Sequence, residues 1–286
     1  MIPVTVQDRN RRPIDGLKVE DFVLLDNEQP RRLESETVYH PIALVCLVQS
    51  SANSAAALTK IRPAGALVGH LITGDRGLAA LVAYGASPAI LQPLMRSQAT
   101  LAQSFRDIRA GGGSARLHDG VVSGARLLAE APRSHRKVML IIGERRDRGS
   151  ETRLEEALSL VQRDNIAVYG ITYSPSLSQF AVKQQEAAPA SGMNLSVLFS
   201  HLRQTGKADS LRALTHYTGG RVLGFLSQKA IEQALTTIGE ELHSQYLLSF
   251  VPPVESQTEY HSIQVRVVSR PDAQVRSRPA YWMSER

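Results

Sequence analysis

The chain has 286 residues, 43% of them hydrophobic, enough for one large α/β unit and a smaller module. Its single cysteine, Cys46, excludes an internal disulfide and any multi-cysteine metal cluster, and no apolar run reaches the roughly 18 residues of a membrane span. The net charge of +6 and pI near 9.6 favour acidic partners, while only 5% aromatics and no clustered Lys/Arg argue against nucleic acid.

Met1-Ile2-Pro3-Val4 has no basic stretch followed by an apolar core, so no signal peptide is expected in this sequence. Met1 leads almost directly into a strand, as in a chain cut from a longer precursor, and the compartment stays open. The first forty residues alternate apolar and polar positions, as in Val4-Thr5-Val6-Gln7 and Phe22-Val23-Leu24-Leu25-Asp26, with breaks at Pro13, Gly16 and Asn27. That is antiparallel strand chemistry. After Pro41 the pattern changes to an unbroken apolar strand at 42–48, with Cys46 as a buried thiol inside it. A helix follows at 55–71, then a strand pair near 78–91, helices at 99–109 and 115–129, a strand at 137–142, a helix at 153–163 and a strand at 166–172. This alternation predicts a doubly wound, mostly parallel sheet with helices on both faces.

The rhythm breaks over 174–207, an irregular insertion containing one apolar patch at 195–202. A helix at 209–217, stopped by Gly219-Gly220, a strand at 221–225 and a long helix at 230–242 complete the α/β unit. The tail returns to alternation in Tyr246-Leu247-Leu248-Ser249-Phe250 and Ser262-Ile263-Gln264-Val265-Arg266-Val267. Head (1–39) and tail (244–286) are therefore expected to form one small antiparallel β-sandwich, with the α/β unit (40–243) inserted between them. No internal repeat or low-complexity tract is found.

Three segments carry the functional signal: Ile42 to Asn53 (IALVCLVQSSAN), Gly111 to Asp119 (GGGSARLHD) and Val138 to Ser150 (VMLIIGERRDRGS). The first and third are apolar strands running into polar loops, and in an open parallel sheet ligands sit beyond the carboxyl ends of such strands. The set resembles the von Willebrand factor A domain, whose metal-ion-dependent adhesion site is marked by Asp-x-Ser-x-Ser, a Gly-Gly-Thr loop and a strand ending in Asp-Gly. Here those positions read Gln49-Ser50-Ser51-Ala52-Asn53, Gly112-Gly113-Ser114 and Glu144-Arg145. With Gly74-Asp75-Arg76-Gly77-Leu78, Tyr217-Thr218-Gly219-Gly220, Ser244-Gln245-Tyr246 and the opening Val4-Thr5-Val6-Gln7-Asp8, the chain is most similar to the bacterial VWFA-related family first catalogued in Acidobacteria. The resemblance implies an A-type unit inserted in a sandwich, and a secreted, periplasmic or cell-surface setting.

It also implies a degenerate metal site at Gln49, Ser51, Asn53, Ser114 and Glu144. Hard cations want oxygen donors and compensating negative charge. Gln49 keeps an oxygen and loses the charge, whereas Glu144 keeps the charge and reaches one methylene further. Losing one unit charge about 4 Å from a divalent ion forfeits roughly 8 kcal/mol of attraction at an effective dielectric near 20. No cofactor is expected, with weak Mg²⁺ or Ca²⁺ binding as the alternative. Arg116, Arg145 and Arg146, grouped around Glu144, are expected to meet a protein partner's carboxylates instead, since guanidinium does so in bidentate fashion.

Enzymatic readings fare worse. Ser114, His118 and Asp119 lie together, but with Ser114 capping a helix that starts at Ala115, His118 becomes a surface residue that its neighbour Asp119 cannot orient as a triad requires. No Gly-x-Ser-x-Gly elbow exists. Gly111-Gly112-Gly113 lacks the Lys-Ser/Thr of a phosphate-binding loop and the Gly-x-Gly-x-x-Gly spacing of a dinucleotide site. The expectation is a non-enzymatic interaction or adhesion module that binds a protein at the top of the sheet, independently of metal. The alternative is a metal-dependent adhesion module with a weakened site.

Overall fold

The computed structural model describes residues 1–35, 40–173, 209–251 and 260–282. The irregular stretch expected over 174–207, with its apolar patch, lies outside them.

The α/β unit is built on a six-stranded sheet: β5 (Ile42–Gln49), β6 (Leu78–Tyr84), β7 (Pro88–Met95), β8 (Arg136–Gly143), β9 (Ala167–Thr172) and β10 (Val222–Gly224). Their order is β10-β9-β8-β5-β6-β7, and all pairings are parallel except that of β7 with β6. All eight residues of β5 are buried because helices cover both faces. Ile42, Leu44, Cys46 and Val48 pack on one side beneath α1 (Ala55–Val68), α2 (Gln98–Asp107) and the long C-terminal helix α6 (Gln228–Ser244). Ala43, Val45 and Leu47 pack on the other beneath α3 (Leu117–Ala129), α4 (Leu154–Arg163) and α5 (Ser210–Thr218). Gly219 ends α5 at φ 83°, a left-handed conformation that glycine adopts without strain. The helix expected over 55–71 instead passes from α1 into one π-helical segment, Gly69–Thr73.

Head and tail strands interleave in two four-stranded antiparallel sheets. One runs β13 (Gln274–Arg276), β1 (Ile2–Gln7), β11 (Tyr246–Ser249), β4 (Glu34–Ser35); the other β14 (Ala280–Trp282), β12 (Tyr260–Val267), β2 (Phe22–Asp26), β3 (Gln29–Arg31). Ile2 lies opposite Leu248, and Leu24 opposite Val265. Ile2, Val4, Leu24, Leu248, Ile263 and Val265 share one buried cluster, so neither sheet could bury its apolar face alone. A buried polar hub ties this sandwich to the α/β unit. Glu241 of α6 accepts hydrogen bonds from Tyr169 (2.7 Å) and Arg221 (3.2 Å) and pairs with Arg276 of β13, while Gln245 donates to Thr5 of β1 and to Tyr169. Among the described residues, no helix is long and apolar enough to cross a membrane.

Candidate functional site

At the carboxyl end of the sheet, the three loops and the β6–β7 turn are stitched together by backbone hydrogen bonds. Ser50 N–H donates to Tyr84 O, Gly111 N–H to Ser50 O, Ala52 N–H to Gly113 O, Arg116 N–H to Gly85 O and Arg148 N–H to Ala115 O, at 2.6–3.3 Å. The fold thus assembles all three segments at one crevice.

Gln49, the last residue of β5, is 1% exposed and lies at its centre. Its Oε1 accepts the Glu144 backbone N–H at 2.7 Å, and its Nε2 donates to Ser51 Oγ at 2.8 Å. Because a backbone N–H can only donate, this amide cannot be turned the other way. Ser51 is also buried, whereas Asn53 and Ser114 are exposed and make no side-chain hydrogen bond with the described residues. The Glu144 carboxylate pairs with Arg148 at 3.2 Å. Arg145 pairs with Asp209 at 3.0 Å, and Arg116 with Glu151 at 3.0 Å and Asp119 at 3.8 Å. Arg146 is exposed. Arg116 and Arg145, both expected to face a partner, are thus engaged by carboxylates of this chain.

Two sequence expectations need correction. Helix α3 begins at Leu117, not Ala115, and Ser114 does not cap it. Its first amides are instead capped from the β8–α4 loop: His118 N–H donates to Asp147 Oδ1 (3.2 Å) and Ser150 Oγ (3.1 Å), and Asp119 N–H to Ser150 Oγ (3.2 Å). Capping from a distant loop leaves no local signature. Nor is His118 a surface residue. It is 8% exposed, with Nδ1 on the Thr152 carbonyl (3.1 Å) and Nε2 on Ser210 Oγ (3.0 Å), and it braces α3 against α5.

Asp119 completes the clasp by accepting from Thr152 N–H (2.9 Å) and Glu151 N–H (3.2 Å). Partial burial pushes its carboxyl up, but the two amides and Arg116 outweigh that and hold it below the usual carboxylate range. Asp147 and Ser150 were missed by the sequence reading, which weighed Asp119 only as a triad member. The signal was present in the Asp-x-x-Ser spacing of the loop and in an acid on the first turn of a helix. Tyr84 was missed as well: its hydroxyl is buried beneath Gly143 with no hydrogen-bond partner among the described residues. A Cβ at position 143 would collide with that hydroxyl, which accounts for glycine at the end of β8. Burial, reinforced by the nearby Tyr173, Glu144 and Asp147, pushes the Tyr84 phenol well up.

The donor set does not fit a hard divalent cation in this arrangement. Within the set 49, 51, 53, 114 and 144, the Gln49 oxygen already accepts an N–H, its NH₂ faces Ser51, and the carboxylate, Glu144, is paired with Arg148. Among the described residues no group of three or more His, Cys, Asp or Glu is placed to hold a metal.

No protein-family model and no curated protein sequence matches the chain. In structure, it is similar to the von Willebrand factor type A protein from Catenulispora acidiphila, at a TM-score of 0.53 and 14% identity, over 84% of this chain. The α/β unit has the von Willebrand factor A fold. The chain spans about half of that A-domain protein, 49% of its length. Lower-scoring likenesses are the conserved hypothetical protein BatB from Bacteroides thetaiotaomicron (TM-score 0.47, 10% identity, 70% of this chain and 99% of that one) and proximal thread matrix protein 1 from the mussel byssus with a zinc-occupied adhesion motif (TM-score 0.48, 13% identity, 76% and 49%). At 14% identity the Catenulispora acidiphila likeness speaks for the fold alone.

Proposed function

We propose that this chain is a non-enzymatic protein-interaction module that meets its partner at the top of the A-type sheet without a metal ion. One observation carries the reading: the Gln49 amide bridges the first and third loops, where a metal-dependent site would need anionic oxygen. Protein hydrogen bonds thereby do the bridging that an ion would otherwise do. Around that bridge, Arg116, Arg146 and Arg148 meet a partner's carboxylates, Arg116 by exchanging its pair with the exposed Glu151 and Arg148 through the N–H groups that its Nε contact with Glu144 leaves over, while Arg145, tied to the more buried Asp209, holds the loop in place. Glu144 orients Arg148 from beneath. A secreted, periplasmic or cell-surface setting belongs to the same proposal and rests on the sequence resemblance alone.

The metal-free claim is tested by thermal melts with Mg²⁺, Mn²⁺ or Ca²⁺ at about 1 mM. A site filled at tenfold its dissociation constant gains about 1.4 kcal/mol, a shift of a few degrees at this size. No shift is expected, and a reproducible rise would favour the metal-dependent alternative. Gln49→Asp with Glu144→Asp should create ion-dependent stabilisation if the site register is right. For the partner, a native-lysate pull-down should give the same captured protein with and without chelator. Changing Arg116, Arg146 and Arg148 to Ser should weaken capture and flatten its salt dependence, because exposed charge pairs are screened by salt. The same change at the exposed Arg9, Arg11 and Arg12 on the sandwich is the charge-matched control. Equal loss in both would reduce the effect to net charge.

A further inference from the structure

At the opposite end of the sheet, away from the loops discussed above, a cavity of about 220 Å³ opens where the chain leaves α1 and enters β6, and where β7 hands over to α2. Its volume is below the roughly 300–1,000 Å³ of sites for drug-sized ligands, so it has room only for a small molecule. One wall is the π-helical segment Gly69–Thr73, closed by Gly74 N–H donating to Gly69 O at 2.9 Å. Single π turns recur at functional sites because they displace backbone from the regular helical surface. Gln98 Nε2 reaches across to Gly74 O at 3.3 Å and closes the rim between the two helices.

The lining has a specific chemistry. Ala79, Met95 and Leu101 supply an apolar wall, Asp75 supplies a carboxylate and Arg96 a guanidinium. Asp75 and Arg96 are both exposed, and neither pairs with the other or makes a hydrogen bond or ion pair with a described residue. A carboxylate and a guanidinium lining one small cavity, left apart from each other beside an apolar wall, match a ligand that carries both charges itself.

We propose that this cavity binds a small zwitterion with an apolar side chain, a free α-amino acid in its simplest form. Arg96 takes the ligand's carboxylate as a two-toothed donor, Asp75 takes its ammonium, and Met95 and Leu101 cover the side chain. Each charge of the ligand meets its opposite at the rim, so a molecule with only one of the two charges is a poorer occupant.

The test is amide chemical-shift titration of the whole chain with L-leucine, isovalerate and isoamylamine, which share one side chain and differ in charge. Leucine is expected to give saturable shifts at Gly69, Gly74, Gly77 and Leu101 with a dissociation constant below about 10 mM, and the two singly charged probes to bind at least about fivefold more weakly. Asp75→Asn and Arg96→Gln, both at exposed positions that need not disturb folding, should each weaken leucine about fivefold. Absence of saturable shifts up to about 10 mM would overturn the proposal. So would equal binding of the three probes, or leucine binding unchanged in both variants.

Discussion

Replacing Gln49 by Leu isolates what the amide bridge contributes. The two side chains are close in volume, so the main loss is in hydrogen bonding, not packing. Gln49 is 1% exposed and holds the Glu144 N–H at 2.7 Å and the Ser51 hydroxyl at 2.8 Å. With Leu at that position, a backbone donor and a buried hydroxyl are left without partners. An orphaned buried polar group costs about 1–3 kcal/mol, and the hydroxyl can recover part of its loss by rotating, so the total is about 2–4 kcal/mol. At the low end of the per-kilocalorie shift for a chain this large, about 2 °C, the melting temperature should fall by about 4–8 °C. Calorimetry gives the shift, and amide hydrogen exchange should show the Glu144 N–H losing protection as the third loop loosens. A variant that melts within about 1 °C of the wild type, with Glu144 still protected, would refute the reasoning that this amide holds the crevice together.

Asp119→Asn should destabilise most near neutral pH. The Asp119 carboxyl titrates below its unfolded value, so its stabilisation is present above the unfolded value and is lost as pH falls through the folded one; a difference in melting temperature that does not shrink in acid would contradict the charge-based account. Tyr84→Phe should be neutral or mildly stabilising, since it removes a buried hydroxyl with no hydrogen-bond partner among the described residues, and it should partly rescue Gly143→Ala, whose new methyl collides with that hydroxyl; marked destabilisation by Tyr84→Phe alone would show that the hydroxyl has a further partner in solution. Deleting residues 1–38 removes Ile2, Val4, Val6 and Leu24 from the sandwich core and should yield an aggregating protein; a monomeric product with β11 and β12 amides still protected from exchange would show that the tail strands stand alone.

Position along the chain was largely legible in the amino-acid order. Apolar runs such as 42–48 and 138–142 mark strands because burial on both faces leaves no polar positions; Gln49 ends the first of these strands and Glu144 opens the loop after the second. Alternation in the head and tail marked them as antiparallel strands for the complementary reason, one wet face. Pairing was not legible. Ile2 meets Leu248, and His118 meets Ser210 across 92 positions, and nothing local to either residue encodes the other. The same limit governed the site. Residue types placed arginines beside Glu144, but only the folded chain shows Asp209, Glu151 and Asp119 already against two of them, or Asp147 and Ser150 capping a helix that Ser114 was expected to cap. Local periodicity reports how much of a residue is buried; which partner a polar atom finds depends on where distant loops come together, and that is decided by packing of the whole sheet.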